Sequence, residues 1–97
     1  MDQPDSIIHQ PMRLKIMAAL KPLPQRELVE FTRLKAIVGA TDGNLGAHLA
    51  TLEQAGYLET EKDFFLKKPR TRVRLTKAGR RAFEQYVAYL REIVGES

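Results

Sequence analysis

The stretch from Thr41 to Gly56, T-D-G-N-L-G-A-H-L-A-T-L-E-Q-A-G, contains both a start signal and a stop signal for a helix. Thr41 or Asp42 can cap the first free backbone amides with a side-chain oxygen. Gly56 tolerates the left-handed backbone conformation that commonly ends a helix. The stretch therefore predicts a helix over residues 41–55.

The two sides of this helix differ in composition. Leu45, Leu49 and Leu52 fall at i, i+4 and i+7 and form a narrow apolar stripe. The opposite side consists of small residues, namely Gly43, Ala47, Ala50 and Thr51. An ordinary solvated face would be charged, whereas small side chains let a helix approach another surface closely. The pattern predicts that this side meets a partner.

The flanking segments complete a recognisable motif. Upstream, residues 32–38 repeat the helical pattern, and Gly39-Ala40 separates the two runs, which is typical of a helix-turn-helix. Downstream, residues 57–62 and 70–75 alternate like strands around a Lys-Lys-Pro tip. These two strands predict a β-hairpin beside the helix pair.

With these elements the chain resembles the winged helix-turn-helix transcriptional regulators of the MarR and ArsR groups, and is most similar to short MarR-like members. The resemblance implies an α+β, mainly α fold with a three-helix core, a β-hairpin wing and an extra C-terminal dimerisation helix. It also implies a very short strand at Leu28 and Val29 that pairs with the wing. We expect one domain over residues 1–97, divided into an N-terminal helix (1–20), a helix-turn-helix (31–56), a wing (57–75) and a C-terminal helix (76–95).

Local signals refine the helices at both ends of the chain. Asp5 or Ser6 can cap a first turn, and Pro11 suits the first position of a renewed helix because a proline there lacks only a spare donor. Thr76 can cap the last helix. Gly79 inside that helix costs about 1 kcal/mol relative to alanine, which indicates that another group packs close to it.

Composition excludes several classes of function. The chain has no cysteine and only two histidines, so a thiolate or histidine metal site is not expected. No phosphate-binding loop, HExxH motif or cluster of convergent polar groups is present, so we expect no enzyme activity and no cofactor. The sequence has no pattern typical of a signal peptide or a membrane span, which predicts a cytoplasmic protein without membrane contact.

The positive charge is concentrated in one segment. Residues 62–81 hold nine Lys or Arg against Asp63 alone, which gives +8 there and leaves −4 for the remaining residues. A basic hairpin of this kind is typical of a polyanion site. For Lys67, Lys68 and Arg70 we see no nearby acid and expect phosphate contact, whereas Arg74 can equally pair with a glutamate of the facing strand.

We therefore predict a sequence-specific regulator that binds double-stranded DNA, with helix 41–55 in the major groove and the wing on phosphates or the minor groove. The predicted DNA-binding residues are Thr41, Asn44, Ala47, His48, Thr51, Lys67, Lys68, Arg70 and Arg72. The alternative is a winged-helix adaptor that binds other proteins, because fold alone does not fix function. A small-molecule effector and the role of the apolar segment 64–66 stay open.

The last helix predicts a homodimer on a palindromic operator. It carries two adjoining apolar stripes, which a domain of this length cannot easily bury together, so one stripe is expected to meet a second copy. The predicted interface residues are Ile7, Ile8, Met12, Tyr86, Tyr89, Leu90, Ile93 and Val94.

Overall fold

Four helices and three strands follow one another in the computed structural model, which describes residues 5–95. Their bounds, in chain order, are α1 Pro11–Leu20, β1 Val29–Glu30, α2 Phe31–Val38, α3 Asp42–Gln54, β2 Leu58–Phe65, β3 Lys68–Leu75 and α4 Lys77–Ile93. The predicted fold class, a mainly helical winged helix-turn-helix, is confirmed.

The chain enters α1 through a capped turn, as the sequence indicates. The Asp5 carboxylate accepts hydrogen bonds from the backbone N–H groups of Ile7 and Ile8, at 2.8 and 3.3 Å. Pro11 then occupies the first turn of α1, and the side chain of Gln10 accepts from the backbone N–H of Arg13. This arrangement turns Ile8 into the core, where it is fully buried.

Helices α2 and α3 form the helix-turn-helix. Gly39 ends α2 with φ +70°, a left-handed conformation that glycine adopts without strain. Thr41 caps α3 by accepting the backbone N–H of Asn44, and Gly56 follows its last turn with φ +83°. Both signals are therefore used as predicted.

The three strands form an antiparallel sheet in the order β1-β3-β2. β1 begins one residue later than expected, because Val29 is buried opposite Val73 and Glu30 continues the pairing opposite Arg72. At the other edge, β2 pairs with β3 along their whole lengths, from Leu58 opposite Leu75 to the tip.

The wing is longer than predicted, and its turn lies elsewhere. Leu66 and Lys67 alone form the turn, so the expected Lys-Lys-Pro tip is wrong, and Lys68 and Pro69 belong to β3. Because β1 flanks β3 only near Val73, Pro69 lies at an open edge where a missing amide donor is tolerated.

The core lies between the helices and the inner face of the sheet. It is built mainly from aliphatic residues of every element, and no polar or charged residue among positions 5–95 is buried in it. Its fully buried members with the largest side chains are Ile8, Ile16, Met17, Leu34, Leu45, Leu52, Leu58, Val73 and Leu75.

One close backbone contact fixes where α4 leaves the sheet. A Cβ atom at Gly79 would lie 2.0 Å from the backbone oxygen of Tyr57, so only glycine fits there. The same oxygen accepts from the backbone N–H of Thr76, whose hydroxyl caps α4 by accepting from Gly79 and itself donates to the carbonyl of Gly56. The close neighbour predicted for Gly79 is therefore Tyr57, the residue before β2.

Candidate nucleic-acid interface

Helix α3 presents its small-sided face to solvent. Leu45, Leu49 and Leu52 are buried and anchor the opposite face. The outward positions Gly43, Asn44, Ala47 and Ala50 are exposed, and Thr51 is half-buried with its hydroxyl donating to the carbonyl of Ala47. At the start of the helix, Lys35 holds Asp42 at 2.7 Å. The short side chains on this face therefore let the backbone of α3 approach a groove closely.

The side chain of His48 contacts Arg13 of α1. Its Nδ1 lies 3.2 Å from Nη1 of Arg13, and Nε of Arg13 also donates to the carbonyl of Ile7. Because a guanidinium can only donate, Nδ1 acts as the acceptor and Nε2 is left for other contacts. The predicted phosphate or base contact of His48 can thus be made only through Nε2, and it stays a prediction. Sequence reasoning did not identify Arg13 as the residue that orients it.

The outer face of the wing is a ladder of ion pairs. Two nitrogens of Arg70 lie 3.0 and 2.8 Å from the two carboxylate oxygens of Asp63. Arg72 contacts both Glu61 and Asp63, and Arg74 pairs with Glu59 at 2.9 Å. The expectation that Arg70 has no acid nearby is wrong, because the strand register places Asp63 directly opposite it. For Arg74, the sequence left open either phosphate contact or pairing with a glutamate, and the structure contains the pair with Glu59.

These pairs change the electrostatics of the wing. The hydrogen bonds from Arg70 lower the pKa of the Asp63 carboxyl below its usual value, and Asp63 in turn raises the pKa of Arg70. Both groups therefore stay charged, and each largely cancels the field of the other. The positive field of the outer face is weaker than a count of basic residues indicates.

The remaining positive charge of residues 62–81 lies on the wing and on the first turns of α4. Within residues 5–95, no acidic partner is found for Lys62, Lys67, Lys68, Lys77 or Arg81, and all five are exposed. Arg80 has a structural role instead, since its guanidinium donates to the carbonyls of Lys21 and Leu23 at the end of α1. The unpaired charges, above all Lys67 and Lys68 at the tip, are the ones available to phosphates.

The predicted dimer residues separate into three groups by burial. Ile8 and Tyr86 are buried within the chain itself, with 0% and 4% of their surface exposed, so their expected place in an interface is wrong. Tyr86 is covered because its hydroxyl lies 2.8 Å from Nδ1 of His9, which docks the N-terminal turn on α4. The half-buried members Ile7, Met12 and Tyr89 pack against the core. Those that remain exposed are Leu90, Ile93 and Val94, at the end of α4.

Metal clusters and membrane-spanning helices are not found in the described part of the chain. No group of three or more His, Asp or Glu residues within positions 5–95 is arranged to hold a metal ion. None of the helices there is both long and apolar enough to cross a membrane.

Comparison with known proteins agrees with the fold. A family model described as a winged helix DNA-binding domain matches residues 12–94. The chain is 40% identical over 81 residues to an uncharacterized protein of Methanocaldococcus jannaschii, covering 84% of this chain and 85% of that protein.

Solved structures give the same picture. The transcriptional regulator homologue from Pyrococcus horikoshii OT3 matches with a TM-score of 0.80 and 31% identity, over 91% of this chain and 84% of that one. MepR of S. aureus, solved as a complex with DNA, shares the fold with a TM-score of 0.74 and 15% identity, over 92% of this chain and 70% of that one. A MarR-family regulator is also among the structures that share the fold.

Proposed function

The chain belongs to the winged helix DNA-binding domain family, and from that premise we propose that it is a transcriptional regulator that binds a specific double-stranded operator as a homodimer. The solved structures that share its fold include transcriptional regulators. In the proposed complex α3 enters the major groove and the wing reaches phosphates or the minor groove.

The observation that carries this proposal is the exposed face of α3. A major groove admits an α-helix, and the short outward side chains of Gly43, Ala47 and Ala50 let the backbone of α3 approach the bases closely. Asn44 stands on the first turn, where recognition helices contact base edges, and its amide can pair with adenine. Thr41, the N-cap, already accepts from the backbone N–H of Asn44 and can still donate, and the Thr51 hydroxyl already donates to Ala47 and can still accept. No arginine is present on this face to read guanine, so DNA shape contributes to the choice of site.

The wing adds contacts that do not depend on sequence. Lys67 and Lys68 are exposed and unpaired within residues 5–95, so they can neutralise phosphates without losing an internal ion pair. Arg70 and Arg72 must break their ion pairs with Asp63 before they contact phosphates, or they must contact DNA while keeping those pairs. We therefore assign the larger part of the phosphate contact to the two lysines.

A second copy is needed because one recognition helix spans only a few base pairs. The exposed apolar residues Leu90, Ile93 and Val94 at the end of α4 offer the surface for a two-fold interface. Two copies related in this way would read a palindrome with half-sites about one turn, or roughly 10 bp, apart.

Selection of bound sequences from random duplex DNA tests the proposal directly. We expect an enriched palindrome, and we expect the affinity for it to fall steeply between about 50 and 200 mM salt, with a log-log slope near −0.9 for each phosphate neutralised. Replacement of Asn44 by alanine should weaken the enriched site more than random DNA. The absence of any enriched sequence, together with binding that does not change with salt, would contradict the proposal.

An adaptor function is the second candidate, and the ion-pair ladder is the observation that favours it. With three wing arginines already paired to Glu59, Glu61 and Asp63, part of the basic character that indicates DNA is used internally. An adaptor would show no enrichment in the selection experiment and would bind duplex DNA weakly at physiological salt.

A further inference from the structure

The end of the wing, residues 64–69, exposes apolar side chains and is called the wing tip below. Phe64 is 74% exposed and Leu66 is 80% exposed, although both are large and apolar. Phe65, on the opposite face of the ribbon, is partly covered by the guanidinium of Arg70, which lies 4.7 Å from the ring centroid. The unpartnered apolar surface of the tip therefore consists mainly of Phe64 and Leu66.

The backbone holds this surface at the apex of a narrow projection. β2 and β3 have eight residues each, so the ribbon extends about 26 Å at roughly 3.3 Å per residue. β1 pairs with the ribbon only at Val73 and Arg72, and Glu30 of β1 lies 3.9 Å from Arg70; nearer the turn the sheet consists of β2 and β3 alone. A two-residue turn closes it with Leu66 and Lys67 at φ +52° and +66°.

The residue types in that turn are unusual for its geometry. Asparagine and glycine adopt two consecutive positive φ values most easily, whereas leucine does so with strain. A polar Asn-Gly pair would close the same hairpin more favourably and would remove the exposed apolar side chain. The presence of leucine at this position therefore needs a role that compensates for both costs.

The charges around the tip indicate the partner. Lys62, Lys67 and Lys68 surround Phe64 and Leu66, and no acid within residues 5–95 pairs with them. The acids of β2 face the other side, where the arginines hold them. An apolar pair surrounded by free cations is complementary to stacked bases between two rows of phosphates.

We infer that Phe64 and Leu66 form an apolar wedge that enters the minor groove, unstacks one base step and kinks the duplex, while Lys67 and Lys68 contact the flanking phosphates. Inserted Phe and Leu side chains act in this way in other minor-groove proteins. The wedge would favour pyrimidine–purine steps such as TA, which unstack most easily. This inference rests on the proposed function and adds a specificity element that lies outside α3.

The test measures bending and affinity separately on an A·T-rich duplex of about 30 bp with a central TA step. Dyes at the two ends report bending by energy transfer, and anisotropy reports affinity across a salt series. The parent should shorten the end-to-end distance. The double variant Phe64→Ser, Leu66→Ser should bind about tenfold more weakly, as the loss of one stacking side chain implies, without bending and with an unchanged salt slope.

Matched variants separate the wedge from general effects. Phe64→Trp keeps a large aromatic wedge and should bend the duplex like the parent. Ile37→Ser removes a side chain that is 56% exposed on α2 and is not part of the wing, and should change neither property. Replacing the central TA step by an abasic site, which is already unstacked, should restore most of the affinity lost by the double variant.

Each contrary result has a distinct meaning. If the double variant binds and bends like the parent, the wedge is overturned and DNA binding by the protein still stands. If the parent binds no duplex at any salt concentration, the proposed function and the wedge both fail. If the double substitution instead abolishes self-association or capture by anionic vesicles while bending is unchanged, the tip contacts a second copy or a membrane, and the wedge is overturned.

Discussion

The guanidinium of Arg70 donates two hydrogen bonds, of 3.0 and 2.8 Å, to the carboxylate of Asp63, three cross-strand pairs from the turn of the wing. Arg72 reaches the same carboxylate at 3.3 Å. A single acid thus restrains two of the residues predicted to bind DNA. The charge that the wing shows to a duplex depends on whether this acid is ionised or replaced.

We predict that Asp63→Asn strengthens non-specific duplex binding. The substitution removes one negative charge with little change of shape and frees Arg70 from its two-hydrogen-bond partner, while Arg72 keeps Glu61 at 3.4 Å. Each phosphate gained should steepen the log-log salt dependence by about 0.9, so a change of about 1 is expected. Anisotropy titrations between about 50 and 200 mM salt measure this slope.

Glu84→Gln is the control, because Glu84 pairs with Lys21 on the helical side of the domain. Equal effects of the two variants would mean that only net charge matters.

The same pair predicts how the wing responds to acid. Arg70 holds the pKa of Asp63 below its usual 3.8, so the folded state binds this proton less tightly than the unfolded chain. The stabilisation is therefore fully present above pH of about 4 and is lost as pH falls through the lowered folded pKa. Urea unfolding measures the free energy of unfolding of the parent and of Asp63→Asn. The difference between the two should be constant at neutral pH and should disappear once the pH has fallen through the lowered pKa of Asp63. A difference that persists unchanged at low pH would contradict the ion-pair account.

Tyr57 should lose its proton at a higher pH than an ordinary tyrosine does. Burial raises its pKa to about 12, and the hydrogen bond to Asp5 adds to the effect, so the phenol is held neutral in the folded state. Its stabilisation is fully present below pH 10 and is lost as pH rises from about 10 to 12. Absorbance at the phenolate band, compared between the parent and Tyr57→Phe, isolates this group. Asp5→Asn should lower the midpoint without returning it to 10, because burial is the larger cause.

Gly79 and Gly46 should respond in opposite directions to alanine. Helix propensity alone favours alanine by about 1 kcal/mol at either position. At Gly46 no atom lies within 4 Å of the added Cβ, so Gly46→Ala should stabilise the fold by up to that amount. At Gly79 the Cβ would meet the backbone oxygen of Tyr57 at 2.0 Å, and the shift of α4 needed to relieve the clash should cost about 1–3 kcal/mol or more. Thermal unfolding of the two variants provides the measurement, and a stabilised Gly79→Ala would contradict the packing at this junction.

Local features of this fold were predictable from the sequence because their causes lie within a few residues. The caps at Asp5, Thr41 and Thr76 and the left-handed Gly56 each need only a short-range hydrogen bond or a backbone preference. The leucine stripe of α3 needs only the helical period. These signals placed the recognition helix and most of the hairpin.

Pairings across the sheet and between helices were not predictable in the same way. A hairpin closed at residues 67–69 would put Asp63 opposite Val73, whereas the two-residue turn at Leu66 and Lys67 puts it opposite Arg70. A small error in the turn thus reassigns every cross-strand pair. The contact of His48 with Arg13 joins residues 35 positions apart, and no local pattern indicates it.

The exposed end of α4 provides the test of the dimer. The helix spans 17 residues, or about 26 Å, and its last apolar side chains leave the core, with Ile93 61% and Val94 71% exposed. Because these residues add nothing to the core of one copy, Ile93→Glu with Val94→Glu should leave the fold intact, while two glutamates per copy would repel across a two-fold interface. We expect sedimentation at micromolar concentration to change from dimer to monomer, and affinity for the selected palindrome to fall to that for one half-site. Binding to random DNA should change much less, because the wing is unaltered. Ile37→Glu, which adds one such charge at an exposed position of α2, is the control for added charge away from α4. A parent that sediments as an 11.1 kDa monomer and still binds the palindrome tightly would contradict the dimer.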